Sequence, residues 1–136
     1  MHIKSKITTL LILTLLLFSC KNKQSDKTAT DFGEINSITA LEFNEKLNGN
    51  LLVDIRTPGE FAQGYIENAI NINYYQRGFI EQFSQFDTSK PIFIYCRSGN
   101  RTSSAAKKLS NAGFKEVYEL NGGIINWYRN KLKIVK

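Results

Sequence analysis

The sequence has few of the residues from which the commonest enzyme sites are built. Its 136 residues include two cysteines, Cys20 and Cys96, and one histidine, His2. Two cysteines cannot form a four-cysteine zinc site or the disulfide network typical of small secreted domains. A lone histidine beside the initiator methionine argues against a Ser-His-Asp triad, a Cys-His pair and a histidine-ligated metal. We therefore expect neither a metal nor another cofactor.

Proline and charged residues are also few, which limits the classes of protein to which the chain can belong. The chain has two prolines, 42% hydrophobic residues and 22% charged residues. Such a composition is typical of a globular protein and argues against a disordered or collagen-like chain. The length is sufficient for one packed domain and too short for two.

The one long hydrophobic run lies at the N-terminus. Residues 7–18 are apolar except for three threonines, and Lys4 and Lys6 precede them. The run is shorter than the roughly 20 residues of a membrane-spanning helix, and its length and basic start are typical of a secretory signal peptide. It is apolar on every side, unlike an amphipathic helix of a folded domain.

The end of this run resembles a bacterial lipoprotein signal, in which a leucine and a small residue precede the lipidated cysteine. Leu17, Ser19 and Cys20 match that pattern. The resemblance implies a signal peptide over 1–19 and a membrane anchor of acyl chains on Cys20. The polar segment 20–34 is then a flexible tether, and an exported domain over 35–136 lies outside the cytoplasm of a bacterium. Plain cleavage and an uncleaved anchor remain the alternatives.

The charge balance bears on the partners of the mature protein. The formal charge is +6, and loss of Lys4 and Lys6 with the signal peptide lowers it to +4. A small excess in an exported chain is weak support for nucleic-acid binding, which we do not expect. The charge favours small anionic ligands, with an ordinary solvated surface as the alternative.

Strand and helix patterns alternate along the rest of the chain. Buried strands are predicted over 51–55 and 92–95, and further strands over 69–72 and 116–120. A capping box at Thr39 and Glu42 predicts the start of one helix. Phe79, Phe83 and Phe86 predict the buried face of another, and further helices are predicted over 58–63, 102–112 and 124–132. This alternation predicts a three-layer α/β domain with helices on both faces of a mainly parallel sheet.

The strand over 92–95 leads directly into a loop suited to nucleophilic chemistry. The loop is Cys96, Arg97, Ser98, Gly99, Asn100, Arg101 and Thr102. Backbone N–H groups of such a loop, the start of the following helix and two arginines all stabilise an anion, so they favour the thiolate of Cys96 without a histidine base. The alternative is a buried structural cysteine. Asp54 and Arg56 follow the neighbouring strand, and we expect them to brace the loop or the sheet edge, or to take part in function.

This loop resembles the active-site loop of rhodanese-homology domains, the single-domain sulfurtransferases. The resemblance covers roughly 35–131 and includes these further segments: Asp54-Ile55-Arg56, Glu60-Phe61, Gly64, Ile66, 69–72, Leu120-Asn121-Gly122-Gly123 and Trp127. Two positions depart from the family pattern. Tyr65 stands where histidine is frequent, and Asn68 where glycine is usual.

The resemblance implies a sulfurtransferase that works by double displacement. Cys96 takes the outer sulfur of a thiosulfate-like anion as a persulfide and passes it to a thiophilic acceptor, which includes the thiol of a partner protein. Residues 97–102 bind the substrate, and Arg97 and Arg101 attract the anion. The alternative from another functional class is a membrane-tethered, non-catalytic binding or regulatory module.

Two related chemistries fit the loop less well. Tyrosine-type phosphatases have five residues between cysteine and arginine, whereas four separate Cys96 from Arg101. A disulfide reductase requires a second thiol, and Cys20 is expected to be acylated.

Overall fold

The described residues form one sheet of six strands, five of which are parallel. The structure, a computed structural model, describes residues 28–29 and 33–136. The strands are β1 (Thr28–Ala29), β2 (Glu34–Ile38), β3 (Leu51–Asp54), β4 (Ile70–Asn71), β5 (Ile92–Tyr95) and β6 (Glu116–Leu120). They lie in the order β1-β2-β6-β5-β3-β4, with only β1 antiparallel to its neighbour.

Helices cover both faces of this sheet. They are α1 (Ala40–Leu47), α2 (Pro58–Ala62), α3 (Asn100–Asn111), α4 (Gly123–Arg129) and a 3₁₀ helix over Glu81–Gln85. Phe43 of α1 and Trp127 of α4 pack with Phe93 in one core, whereas α3 and the 3₁₀ helix pack on the other face. The predicted three-layer α/β architecture is confirmed.

The central strands bring the predicted site together. All four residues of β5 are buried, and β5 pairs with β3 on one side and β6 on the other. Because parallel strands end at the same edge, Asp54 at the end of β3 and Cys96 after β5 lie at that edge. The segment after β6 begins there as well.

The N-termini of α1 and α2 are closed by the same device. Thr39 accepts a hydrogen bond from the N–H of Glu42, whose carboxylate accepts from the Thr39 N–H, as predicted. Thr57 and Glu60 form a second, unpredicted capping box. Both boxes satisfy N–H groups that a helix itself leaves without partners.

Several element boundaries differ from the prediction. The sequence patterns gave no strand at β2, and β1 lies inside the segment assigned to the tether. Residues of β2 are half-buried or exposed, so they lack the apolar run that revealed the central strands. Helix α3 begins at Asn100, two residues earlier than predicted, and α4 ends at Arg129 rather than 132.

The aromatic segment before β5 also differs in detail. Phe79 and Phe83 are buried and their rings lie edge to face with centroids 5.1 Å apart. Phe86 is half-buried, and only Phe83 lies in a helix, which is a short 3₁₀ helix over Glu81–Gln85. The predicted burial of Phe79 and Phe83 is confirmed, whereas the single helix carrying all three rings is not found.

The two departures from the family pattern have visible structural roles. Asn68 adopts a φ of +66°, a conformation that glycine takes most easily and asparagine tolerates. Tyr65 stacks on Phe61 with ring centroids 4.1 Å apart and exchanges backbone hydrogen bonds with Val135.

The predicted leader over 1–19 and the predicted lipidation site at Cys20 lie outside the described residues. Over the part of the chain that the structure describes, no helix combines the length and the apolar character needed to cross a bilayer.

Candidate active site

Cys96 lies at the floor of the loop that joins β5 to α3. The residue is 1% exposed and its thiol is free. Its Sγ accepts a hydrogen bond from the Gly99 N–H at 3.1 Å and lies 3.9 Å from the Thr102 hydroxyl. Because the chain turns back within three residues, a backbone N–H points at the sulfur.

Gly99 makes this turn possible and also begins α3. Its φ of +98° lies in the left-handed region, where a side chain is strained. As the N-cap of α3 it has no side chain to accept from the first helical N–H groups. The N-terminus of α3 therefore presents about half a positive charge beside Sγ, which favours an anionic sulfur.

Helix α4 supports the loop from behind. The Ile124 N–H donates to the Cys96 carbonyl at 2.9 Å, and the Ile125 N–H donates to the Arg97 carbonyl at 3.2 Å. A Cβ on Gly123 would lie 2.5 Å from both carbonyl oxygens. The glycines before α4 thus allow its first turn to contact the backbone of the loop.

Arg101 is held by a carboxylate from another helix. Its two terminal nitrogens donate to the two oxygens of Glu60 at 2.8 Å each, and its guanidinium lies 5.7 Å from the centroid of the Tyr75 ring. Hydrogen bonding from Arg101 lowers the pKa of Glu60 to about 2, and the same pair raises the pKa of Arg101. Two of the five guanidinium N–H groups are used, so the others can still donate to an anion.

Asp54 and Arg56 form a buried pair at the adjacent strand end. Arg56 Nη2 lies 2.6 Å from Asp54 Oδ2 and donates to the Gly64 carbonyl at 2.7 Å. The Asn71 side chain donates to the carbonyls of both Asp54 and Arg56 at 2.9 Å. These contacts place the pair as a brace of the sheet edge and of the segment at Gly64.

The other predicted site residues divide into a rim and a floor. Arg97, Ser98 and Asn100 are exposed, whereas Thr102 is buried and donates to the Gly99 carbonyl at 2.8 Å. Residues 96–99 thus form the loop, and residues 100–102 form the first turn of α3.

Two residues around the loop had no role assigned from sequence. Glu60 was quoted only as part of a motif, although the Thr-x-x-Glu spacing from Thr57 was a visible signal of a capping box. Glu119, buried on β6 near Thr102, belongs to none of the motifs. Within residues 28–29 and 33–136, no group of three or more His, Cys, Asp or Glu side chains is placed to hold a metal ion.

Comparison with known proteins agrees with this geometry. The family model for the rhodanese-like domain matches residues 39–130. A sulfurtransferase of Allochromatium vinosum is 38% identical over 104 residues, which cover 74% of this chain and 95% of the relative. Thiosulfate sulfurtransferase 16 of Arabidopsis thaliana chloroplasts is 40% identical over 96 residues, which cover 63% of this chain and 80% of that protein.

A solved structure shows the same fold. The crystal structure of a rhodanese-related protein from Thermoplasma volcanium matches with a TM-score of 0.66 and 29% identity, covering 74% of this chain and 97% of that one. The sequence resemblance to rhodanese-homology domains is therefore confirmed, and the chain belongs to the family of rhodanese-like domains.

Proposed function

We propose that the protein is a sulfurtransferase that moves sulfane sulfur from a thiosulfate-like anion to a thiophilic acceptor through a persulfide on Cys96. The observation that carries this proposal is the Gly99 N–H at 3.1 Å from Sγ, at the N-terminus of a helix that no side chain caps. Such a setting stabilises negative charge on sulfur in the thiolate and in the persulfide.

The reaction has two displacements that balance without an added oxidant. The Cys96 thiolate attacks the outer sulfur of thiosulfate, the bond between the two donor sulfurs breaks, and sulfite leaves with the electron pair. The acceptor then attacks the outer sulfur of the persulfide, and the electron pair of the broken S–S bond returns to Sγ. Each turnover therefore restores the thiolate.

Arg97 and Arg101 support binding of an anionic donor. Arg97 is exposed on the rim of the loop, and Arg101 is oriented by its two hydrogen bonds to Glu60. An arginine with free N–H groups forms strong, charge-assisted hydrogen bonds to sulfonate-type oxygens.

The test is thiocyanate formation from thiosulfate and cyanide by the purified full chain. We expect turnover by the wild type and none by Cys96→Ser, because serine keeps the volume of the side chain but cannot carry a sulfane sulfur. Circular dichroism of the variant checks that it is folded. A folded wild type that forms no thiocyanate with thiosulfate, and none with a polysulfide donor, would contradict the proposal and favour the non-catalytic binding module.

We also propose that residues 1–19 are a lipoprotein signal and that Cys20 is the acylated residue. The support is the basic start, the short apolar run and the Leu17-Phe18-Ser19-Cys20 ending. Expression in a bacterium with labelled palmitate should label the wild type but not Cys20→Ala, and only the wild type should pellet with membranes. Equal labelling of both would contradict lipidation at this residue.

A further inference from the structure

The part of the chain that follows Cys96 is basic. Residues 96–115 contain five Lys or Arg residues and no Asp or Glu. Arg97 is exposed in the loop, Arg101 lies in the first turn of α3, and Lys108 is exposed two turns further along the helix. The helix that begins at the active-site loop therefore carries positive charge along its length.

Two tyrosines after β4 form one surface with the cations of α3. The Lys108 Nζ lies 4.9 Å from the centroid of the Tyr74 ring, and the Arg101 guanidinium lies 5.7 Å from the centroid of the Tyr75 ring. Arg101, Ser104 and Lys108 are three and four residues apart, so they lie on one side of α3. We call the surface formed by Tyr74, Tyr75, Arg101, Ser104 and Lys108 the α3 patch.

The α3 patch begins beside the nucleophile and extends away from it. Cys96 is 1% exposed, so an acceptor meets its sulfur at the mouth of the loop. Hydrogen bonding to Glu60 raises the pKa of Arg101, and the charges of Cys96 and Tyr75 act in the same direction, so Arg101 lies within electrostatic range of both. Lys108 lies roughly 10 Å further along the helix, at a rise of about 1.5 Å per residue. A small thiol contacts only the near end of the patch, whereas a protein thiol covers all of it.

The chemistry of the α3 patch indicates an acidic protein. Tyr75 is 67% exposed. Tyrosine and arginine are among the residues that contribute most to binding at protein interfaces. The charges of Arg101 and Lys108 complement carboxylates on a partner. An anionic membrane matches this charge but supplies no thiol to accept sulfur from Cys96.

We propose that the α3 patch docks an acidic protein and that the thiol of this protein is the sulfur acceptor. The inference rests on the proposed sulfurtransferase activity. The partner's thiol loses its proton to solvent, and the thiolate attacks the outer sulfur of the Cys96 persulfide. The Sγ–S bond breaks, its electron pair returns to Sγ, and the partner leaves as a persulfide.

The test uses three synthetic peptides as acceptors, each with one cysteine followed by four glutamates, four serines or four lysines. An extended peptide of this length spans roughly 16 Å, enough to reach from the loop to Lys108. Transfer rates from the persulfidated full chain are measured for the wild type and for Lys108→Glu. Dividing the variant rate by the wild-type rate for each peptide removes the intrinsic reactivity of its thiol. The matched control is Lys46→Glu, an exposed charge reversal on α1, which packs on the other face of the sheet.

We expect Lys108→Glu to slow transfer to the glutamate peptide about fivefold, because repulsion replaces an exposed ion pair. Transfer to the serine peptide should change little, and transfer to the lysine peptide should become faster. Lys46→Glu should leave all three rates unchanged. Equal effects of Lys108→Glu on the three peptides, or the same pattern in Lys46→Glu, would overturn the docking site.

Small thiols and vesicles separate this inference from the proposed function. Transfer from the wild type to 2-mercaptoethanol but to none of the peptides would overturn the docking site and leave the sulfurtransferase intact. Absence of transfer to every thiol would instead contradict the proposed function itself. Vesicles of phosphatidylglycerol that slow transfer to all three peptides equally, in the wild type but not in Lys108→Glu, would assign the patch to a membrane and overturn the inference.

The salt dependence of transfer gives a second measurement. Because salt screens exposed charges, transfer from the wild type to the glutamate peptide should slow as ionic strength rises, and transfer to the serine peptide should change little. The slope for the glutamate peptide should be smaller in Lys108→Glu. The same slope in both proteins would show that Lys108 does not contact the acceptor, which contradicts the inference.

Discussion

Helices α2 and α3 begin in opposite ways, although one ion pair joins their first turns. At α2, the Thr57 hydroxyl accepts from the Glu60 N–H, and the Glu60 carboxylate accepts from the Thr57 N–H, which completes a capping box. At α3, Gly99 is the N-cap and no side chain accepts from the first turn, which lies beside Cys96 Sγ. The N–H groups at the start of α2 are thus satisfied by side chains, whereas those at the start of α3 lie beside Sγ and can stabilise negative charge on it. Helix α4 also begins without a side-chain cap, but its first N–H groups donate to carbonyls of the Cys96 loop.

The capped N-terminus of α2 also contacts the first turn of α3. Glu60 caps α2 and at the same time holds both terminal nitrogens of Arg101 on α3. One carboxylate therefore links the stability of α2 to the orientation of a guanidinium near Cys96.

The largest expected effect comes from disrupting the contact between α4 and the Cys96 loop. Gly123→Ala places a Cβ 2.5 Å from the carbonyl oxygens of Cys96 and Arg97, at a φ of +61°. We expect a loss of about 2–4 kcal/mol in the free energy of unfolding, because backbone must move. Sulfur transfer should be nearly abolished, since the displaced backbone is that of the loop. Urea denaturation and the thiocyanate assay measure both.

The matched control for that substitution is Gly59→Ala in α2. A Cβ there meets nothing within 4 Å, and Gly59 does not have a positive φ. Its stability should stay the same or rise slightly. Equal losses in the two variants would show that α4 does not hold the loop by close approach.

Arg101→Ala tests whether the guanidinium in the first turn of α3 helps to bind the anionic donor. We expect the thiosulfate requirement to rise by an amount equivalent to about 1–3 kcal/mol, the value of one charge-assisted contact. The measurement is KM for thiosulfate at constant ionic strength, with the exposed Arg129→Ala as the control for net charge. An unchanged KM would remove Arg101 from donor binding.

The capping threonines of α1 and α2 can be removed separately. Thr39→Ala and Thr57→Ala should each cost about 1 kcal/mol of stability, because each deletes one N-cap acceptor. Only Thr57→Ala should also weaken sulfur transfer, since Glu60 then loses a partner that orients it toward Arg101. Equal activities of the two variants would contradict the link between α2 and α3.

The smallest effect concerns the pH dependence of stability. Hydrogen bonding from Arg101 lowers the pKa of Glu60 from its ordinary value of 4.5 to about 2, so this ion pair stabilises the fold above pH 4.5. This contribution is lost as the pH falls from 4.5 towards 2, because the unfolded state binds the proton first. Glu60→Gln should flatten the stability profile in that window. A profile identical to the wild type would show that the pair does not contribute.

The central sheet and the loop were predictable because their signals are local. Strand β5 is a continuous apolar run, β3 is apolar up to Asp54, and residues 96–102 are one continuous motif. Strand β2 gave no such signal, since its residues are half-buried or exposed and its pairing with β6 is set by contacts distant in sequence.

Long-range side-chain pairing was not predictable for the same reason. Arg101 was expected to attract an anionic donor, and nothing in the sequence indicated that Glu60, 41 positions earlier, binds it. The buried Oε2 of Glu119 follows from the packing of α3 on β6, which no spacing in the sequence encodes.

Intact mass spectrometry of the reduced full chain after exposure to thiosulfate alone tests directly whether Cys96 forms a persulfide. We expect a gain of one sulfur atom, about 32 Da, that is reversed by cyanide and absent in Cys96→Ser. A folded wild type that gains no mass from thiosulfate or from polysulfide, or a gain that persists in Cys96→Ser, would contradict a Cys96 persulfide.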